Sequence, residues 1–199
     1  ILEKNNMKRI LIIALAFVAL AFTSCKKEPV GETAVKDASG DWYVKRVVVY
    51  ADGEKEDIFG PDGMEYTDMF HLITYNTADN TSDEIFIDEQ GEFYYKNYAM
   101  FLDFKVKAKV DLSTLEFSAS AAENYYEDNT VDIQGKIIKN GAMSAGGKPI
   151  DSIFMTVKLS DDDYAGILDQ LYGQPAGTFE QWDHYEITGV RYTGFVADE

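Results

Sequence analysis

The chain has 199 residues, with 18 Lys+Arg against 35 Asp+Glu and a formal charge of −17. A polyanion of this size lacks the clustered cations that phosphate binding needs, which argues against a nucleic-acid partner. One Cys excludes a disulfide framework and a multi-cysteine zinc site, and two His leave little room for imidazole chemistry.

Residues 1–6 precede the first Met and read as a non-native or misassigned start, outside the fold. Met7-Lys8-Arg9 is a short basic segment, followed by an unbroken apolar run of 13 residues from Ile10 to Phe22. A membrane-spanning helix needs about 20 apolar residues, so this run is too short to span. A basic start, an apolar core and small residues before a cut are the parts of a secretory signal, here residues 7–24. Phe22-Thr23-Ser24-Cys25 resembles a bacterial lipobox, departing from it at Phe22, where Leu is usual. Under a plain signal the lone Cys is incidental. Under a lipobox it stands where the chemistry needs a thiol, and Cys25 becomes the site of lipid attachment. Several acyl chains, each gaining ~0.8 kcal/mol per buried methylene, anchor a protein stably. The expected location is then the outer membrane of a Gram-negative bacterium, with the periplasmic or cell-surface face left open. From Cys25 onward the chain has 15 basic and 34 acidic groups, a charge of −19. Residues 25–39 read as the lipidated Cys and a polar tether, in which Lys26-Lys27-Glu28 is either an export signal or plain linker.

From Gly40 the apolar pattern turns to period two, and residues 40–199 read as a single domain. Trp42–Tyr50, Met69–Tyr75, Glu84–Asp88 and Glu92–Tyr95 are strand candidates. The clearest strand is Phe104–Leu112, with Phe104, Val106, Ala108, Val110 and Leu112 on one face and Lys105, Lys107, Lys109 and Asp111 on the other. Leu115–Ala119, Val131–Lys139, a stretch around Ile153–Leu159, and Tyr185–Thr193 follow. Ala51-Asp52-Gly53, Pro61-Asp62-Gly63, residues 76–83, Gln90-Gly91, Asn140-Gly141 and Gly146-Gly147 carry turn chemistry. Asp161-Asp162-Asp163 offers a helix N-cap, Tyr164, Ile167, Leu168 and Leu171 share a face, and Gly173 is a stop, which predicts one short helix near 161–173. Many short strands with such breaks predict an all-β barrel or sandwich.

Gly40-Asp41-Trp42 resembles the Gly-x-Trp that opens the first strand of lipocalins and other calycins. In those proteins the Trp covers the closed end of the barrel and an Arg from the last strand lies on its ring; by resemblance, Trp42 and Arg191 form that barrel-closing pair. A wider resemblance runs over about residues 40–197, through Ile73–Ala78, Ser82–Asp88, Ile133–Ile137, Asp151-Ser152-Ile153 and Thr193-Gly194-Phe195. These stretches are similar to Bacteroidetes-type lipoproteins called the lipid-binding putative hydrolases. The resemblance implies an antiparallel calycin-like barrel of about eight strands and a hydrophobic small-molecule ligand. It brings no assigned catalytic residues. Residues 161–183 depart from the family's short connection, as either a lid over the barrel mouth or an inert insertion.

A Ser or Thr nucleophile needs a His held by a carboxylate. His71 lies in an apolar strand. His184 follows Asp183, and neighbours along a strand point to opposite faces, so Asp183 is not expected to orient His184. No Gly-x-Ser-x-Gly is present, and Ser39-Gly40 is not a nucleophile elbow. Carboxylate pairs of the glycosidase kind arise by chance in so acidic a chain. Asn76, Asp79, Asn80, Asp83 and Glu84 crowd oxygen ligands, as do Asp161–Asp163, without the spacing of a Ca²⁺ loop. Neither a metal, a cofactor nor a catalytic constellation is therefore expected. Tyr94, Tyr95, Tyr98, Tyr125, Tyr126, Phe179 and Trp182, with Phe101, Phe104, Phe117 and Phe154, either line a pocket or fill it. Three readings stay open. The first is an envelope lipoprotein whose barrel binds a lipid or other apolar molecule, with Trp42, Phe104, Val106 and Phe154 (or Ile153 and Met155, by whichever face points in) as lining candidates. The second is a filled barrel that works through its outer surface, and the third a lipid or ester hydrolase.

Overall fold

In a computed structural model the described residues are 33–57, 70–90, 94–95, 98–99, 103–160 and 164–194. Eleven strands follow in chain order: β1 Gly40–Tyr50, β2 Lys55–Asp57, β3 Phe70–Asn76, β4 Glu84–Asp88, β5 Tyr94–Tyr95, β6 Tyr98–Ala99, β7 Lys105–Asp111, β8 Glu116–Glu123, β9 Thr130–Met143, β10 Pro149–Leu159 and β11 Trp182–Arg191. One helix, α1 (Tyr164–Leu171), interrupts them before β11, and a 3₁₀ turn at Lys36–Ala38 precedes β1. The sheet runs β11-β10-β9-β8-β7-β4-β3-β1, all antiparallel, and β11 pairs back onto β1. The fold is therefore a closed eight-strand antiparallel barrel in simple up-and-down order. β2 extends the edge of β1, and β5 pairs with β6 in a separate hairpin.

Period two in the sequence becomes inside and outside in the barrel. Val106, Ala108 and Val110 of β7 face in while Lys107 and Lys109 face out. On β10, Ile153, Met155, Val157 and Leu159 face in. Eight strands enclose a space that side chains just fill. Trp42, Leu72, Ile85, Ile87, Phe104, Ile137, Met155 and Ile187 are all essentially buried there. Each such side chain contributes about 1.5–3 kcal/mol when fully buried. Gly135 faces inward on β9, where a Cβ would stand 2.4 Å from the Phe117 ring. The missing side chain leaves the space that Phe117 occupies.

Asn140-Gly141 does not turn the chain. β9 continues to Met143, and the hairpin falls at 144–148, where Gly147 has φ +75. Asn140 has φ +54 and sits in a bulge opposite Asp151, whose carboxylate accepts the Asn140 N–H at 3.0 Å. The same device recurs between β8 and β9: Ala121 has φ +44 and donates to Asp132 at 2.8 Å. Left-handed residues serve bulges as well as turns, which is why this motif was open to misreading.

The two ends of the barrel differ. At the end where β1 begins, the connections span only seven, four and five residues (77–83, 112–115 and 144–148). At the other end they span 51–69, 89–104, 124–129 and 160–181, and include β2, the β5–β6 hairpin and α1.

Candidate functional site

The short-loop end is sealed. Trp42 is fully buried, and its indole N–H donates to the Thr74 hydroxyl at 3.0 Å. Thr74 in turn donates to the Ala38 carbonyl at 2.7 Å, tying the 3₁₀ turn beneath the barrel. The Arg191 guanidinium lies 4.5 Å from the centre of the Trp42 ring. Its Nη1 donates to the Ser39 carbonyl at 2.7 Å and its Nε to Asp151 at 3.2 Å. A Cβ on Gly40 would stand 2.5 Å from Arg191 Nη1 and 3.0 Å from the indole, so glycine is required for the stack to form. The Asp151 carboxyl feels burial first, which raises its pKa. The Asn140 N–H, Lys139 and Arg191 together outweigh that and hold it below the usual carboxylate range. All the chemistry here is consumed in closure.

The long-loop end holds a buried ion pair that the sequence reading missed. Arg46 points into the barrel from β1 and meets Glu89, the first residue beyond β4. Their side chains are 3% and 1% exposed. A cavity of about 10 Å³ adjoins the pair, bounded also by Phe104, Val157, Leu159, Tyr185 and Ile187. Burial pushes the Glu89 carboxyl up to about 8; the Arg46 charge pulls it down, and Asp103 pushes it up again. A buried pair of this kind is weak support for stability, because apolar replacements of like volume are often as stable. Strongly perturbed groups of this kind gather at functional sites. Phase carried the signal for Arg46: Trp42, Val44, Arg46 and Val48 share the inward face of β1. Glu89 lies outside any strand and had none.

The other candidates fall in several places. Phe104 and Val106 are interior, Phe104 beside the cavity. Phe154 is corrected to the outer wall, where it is 38% exposed, because Ile153 and Met155 hold the inward phase of β10. It stands in an outer groove of about 570 Å³, between β7 and β10, with Lys109, Glu116, Gln134 and Lys136. His71 is on the outer face of β3, its Nδ1 3.0 Å from Asp41, with the Tyr43 ring 4.4 Å away edge-on.

His184 Nδ1 lies 3.0 Å from Asp183. The strand rule fails there because β1 pairs Val49 with His184 and Tyr50 with Trp182, which leaves Asp183 in a bulge and turns both side chains outward. Each imidazole thus has a carboxylate behind it, but among the described residues no Ser or Thr hydroxyl is hydrogen-bonded to either ring. Asp83 and Glu84 both hold Lys109, at 3.3 and 2.8 Å, and Asn80 accepts the Ala34 N–H at 2.9 Å.

Tyr125 and Tyr126 are both exposed. Phe86 packs between Tyr75 at 5.5 Å and Tyr125 at 5.4 Å, and Tyr75 and Tyr126 donate to Asp88 at 2.7 and 2.5 Å. Trp182 is buried, edge-on to Tyr185 at 5.6 Å. After α1, the Asp169 carboxylate accepts the N–H groups of Gly177, Thr178 and Phe179, which fixes the loop before β11. Cys25, residues 161–163 and Phe101 lie outside the described residues, as do the side chains of Tyr94, Tyr95 and Tyr98.

Fold and site together define a closed β-barrel with one sealed end and one end that buries a charge pair under long connections. The chain belongs to the family of lipid-binding putative hydrolases, whose model matches residues 27–196. No curated protein matches it.

Proposed function

We propose that this protein is a cell-envelope lipoprotein, of the Bacteroidetes type, whose barrel takes up a lipid or other amphiphile through its long-loop end. One observation carries this reading: the polarity of the barrel interior. The Trp42 end is closed by the stacked Arg191 and the hydrogen bonds around it, so a ligand has no path there. The other end combines a buried charge pair, a small cavity and an apolar wall. The family to which the chain belongs is described as lipid-binding, which supports the same reading. A cavity of about 10 Å³ is smaller than one bound amphiphile needs. Uptake therefore requires side chains around Arg46 and Glu89 to give way. Anchoring rests on Cys25 behind its basic and apolar leader.

The test is to purify the protein from its host, extract it with organic solvent and identify what comes off. One amphiphile class at about one molecule per chain supports uptake. A ligand-free protein that also fails to take up fluorescent fatty acids contradicts it. Replacing Cys25 with Ala should release the protein from the membrane fraction; if it stays bound, the anchor reading fails.

A second reading has its own support. The packed interior and the outer cluster of exposed Tyr125 and Tyr126 with half-buried Tyr75 and Phe86 suit a filled barrel acting through its wall. A ligand-free protein in the extraction test would move the function to that surface. The hydrolase reading would need a hydroxyl brought to His71 or His184.

A further inference from the structure

We propose that the outer wall of the barrel carries a second binding site, independent of amphiphile uptake, and that this site takes an uncharged oligosaccharide. The site is a groove across β7 to β11. Two hollows, of about 570 and 420 Å³, share Ser118, Gln134 and Thr156 and so form one groove. The register explains its shape. Ser118, Gln134 and Thr156 stand opposite one another on β8, β9 and β10 and make a polar floor. Glu116, Lys136 and Phe154, again opposite one another, form the wall on one side. Asp132 and Lys158 form the wall on the other, with Asp183 and His184 at its β11 end. Side chains on one face of a strand recur at every second position, so the floor lies between two taller rows. From Lys109 on β7 to His184 on β11 the groove crosses five strands, about 19 Å at a spacing of about 4.8 Å per strand.

The lining selects the occupant. Each lysine along the groove is already paired with a carboxylate: Lys109 with Glu84 at 2.8 Å, Lys136 with Glu116 at 3.0 Å and Lys158 with Asp183 at 2.8 Å. Among the described residues that line it, no cation is left over for a phosphate or sulfate. Exposed pairs of this kind hold weakly, so their groups can turn to a ligand hydroxyl. Among the described residues, no side-chain hydrogen bond engages the Ser118 hydroxyl or the Gln134 carboxamide. Hydroxyl, carboxamide, ammonium and carboxylate together donate and accept, as sugar hydroxyls do. Phe154 adds an exposed ring against which, among the described residues, no other ring packs. The negative face of such a ring suits the C–H face of a pyranose. One ring among polar side chains is too little apolar surface for an acyl chain. A peptide strand has no edge to pair with here, because the groove lies on the face of the closed sheet.

The test titrates the full chain, in phosphatidylcholine nanodiscs, by calorimetry. The neutral probes are cellohexaose, maltohexaose, laminarihexaose, mannohexaose and xylohexaose, and hexagalacturonate is their charged counterpart. At least one neutral sugar should bind, and hexagalacturonate should not. Phe154→Ala should weaken that binding about tenfold, and Phe154→Trp should keep it. Ser118→Arg, which fills the floor, should abolish it. Ile138→Ala, which trims an exposed side chain of β9 outside the groove, should leave it unchanged. Circular dichroism checks the fold of each variant, and Ser118→Arg carries the test where Phe154→Ala does not fold. Binding that survives both Phe154→Ala and Ser118→Arg puts the sugar elsewhere and overturns the site. Binding of no neutral sugar, or equal binding of hexagalacturonate, overturns the ligand class and the proposal with it. Amphiphile uptake stands or falls separately, by the extraction test.

Discussion

Each end of this barrel carries an arginine, half-buried at the sealed end and fully buried at the other, and the two are treated in opposite ways. Arg191 is stacked on Trp42, and donates to a backbone carbonyl and to Asp151, a carboxylate held below its ordinary pKa. Arg46 is set against Glu89, whose carboxyl burial pushes up to about 8. Besides Arg191, two contacts satisfy Asp151: the Asn140 N–H and Lys139. Glu89 relies chiefly on Arg46, and its desolvation outweighs that attraction. A buried charge with a full set of partners belongs to the scaffold.

The largest expected effect is at the sealed end. Trp42→Ala removes the indole, its bond to Thr74 and the seat of Arg191. It should cost about 3–5 kcal/mol, read from chemical denaturation. A loss under about 1 kcal/mol would mean the stack is not the seal.

The second effect contrasts single and double variants at the other end. Arg46→Met alone strands the buried Glu89, and Glu89→Leu alone strands Arg46; each should cost about 3–5 kcal/mol. Arg46→Met with Glu89→Leu should recover most of that, because two apolar side chains fit an apolar wall. Additive losses would show that the two residues act separately.

The smallest effect is on pH dependence. Glu89 has a raised folded-state pKa, so its contribution to stability is fully present below about 4.5 and is lost as pH rises through about 8. Asp88, Asp132 and Asp151 have lowered values, so their contributions are present at neutral pH and are lost in acid. Between pH 5 and 8 the wild type should therefore lose stability as pH rises, and Glu89→Gln should flatten that slope. An equal slope in both proteins would assign it to other groups.

The barrel itself was legible because its strands obey period two: the alternation of Phe104–Leu112 and the inward run of β10 appear directly in the structure. The Gly-x-Trp opening was legible for a physical reason, since Arg191 leaves no space for a Cβ on Gly40. Asn140-Gly141 misled because a left-handed residue serves a bulge as readily as a turn. Asp183 and His184 misled because a bulge cancels alternation. Arg46 was readable as a charge in an apolar phase. Its partner was not, because Glu89 is brought to it by the closing of the barrel across β4, β3 and β1.

The most direct measurement compares the two ends with one ligand. The chain has two Trp, one at each end: Trp42 in the seal, and Trp182 against Tyr185, which borders the Arg46 cavity. A fatty acid brominated along its chain quenches an indole only at contact. In Trp42→Phe, which keeps Trp182, it should quench the fluorescence; in Trp182→Phe, which keeps Trp42, it should not. Quenching of Trp42, or of neither indole, would contradict entry of an amphiphile through the long-loop end.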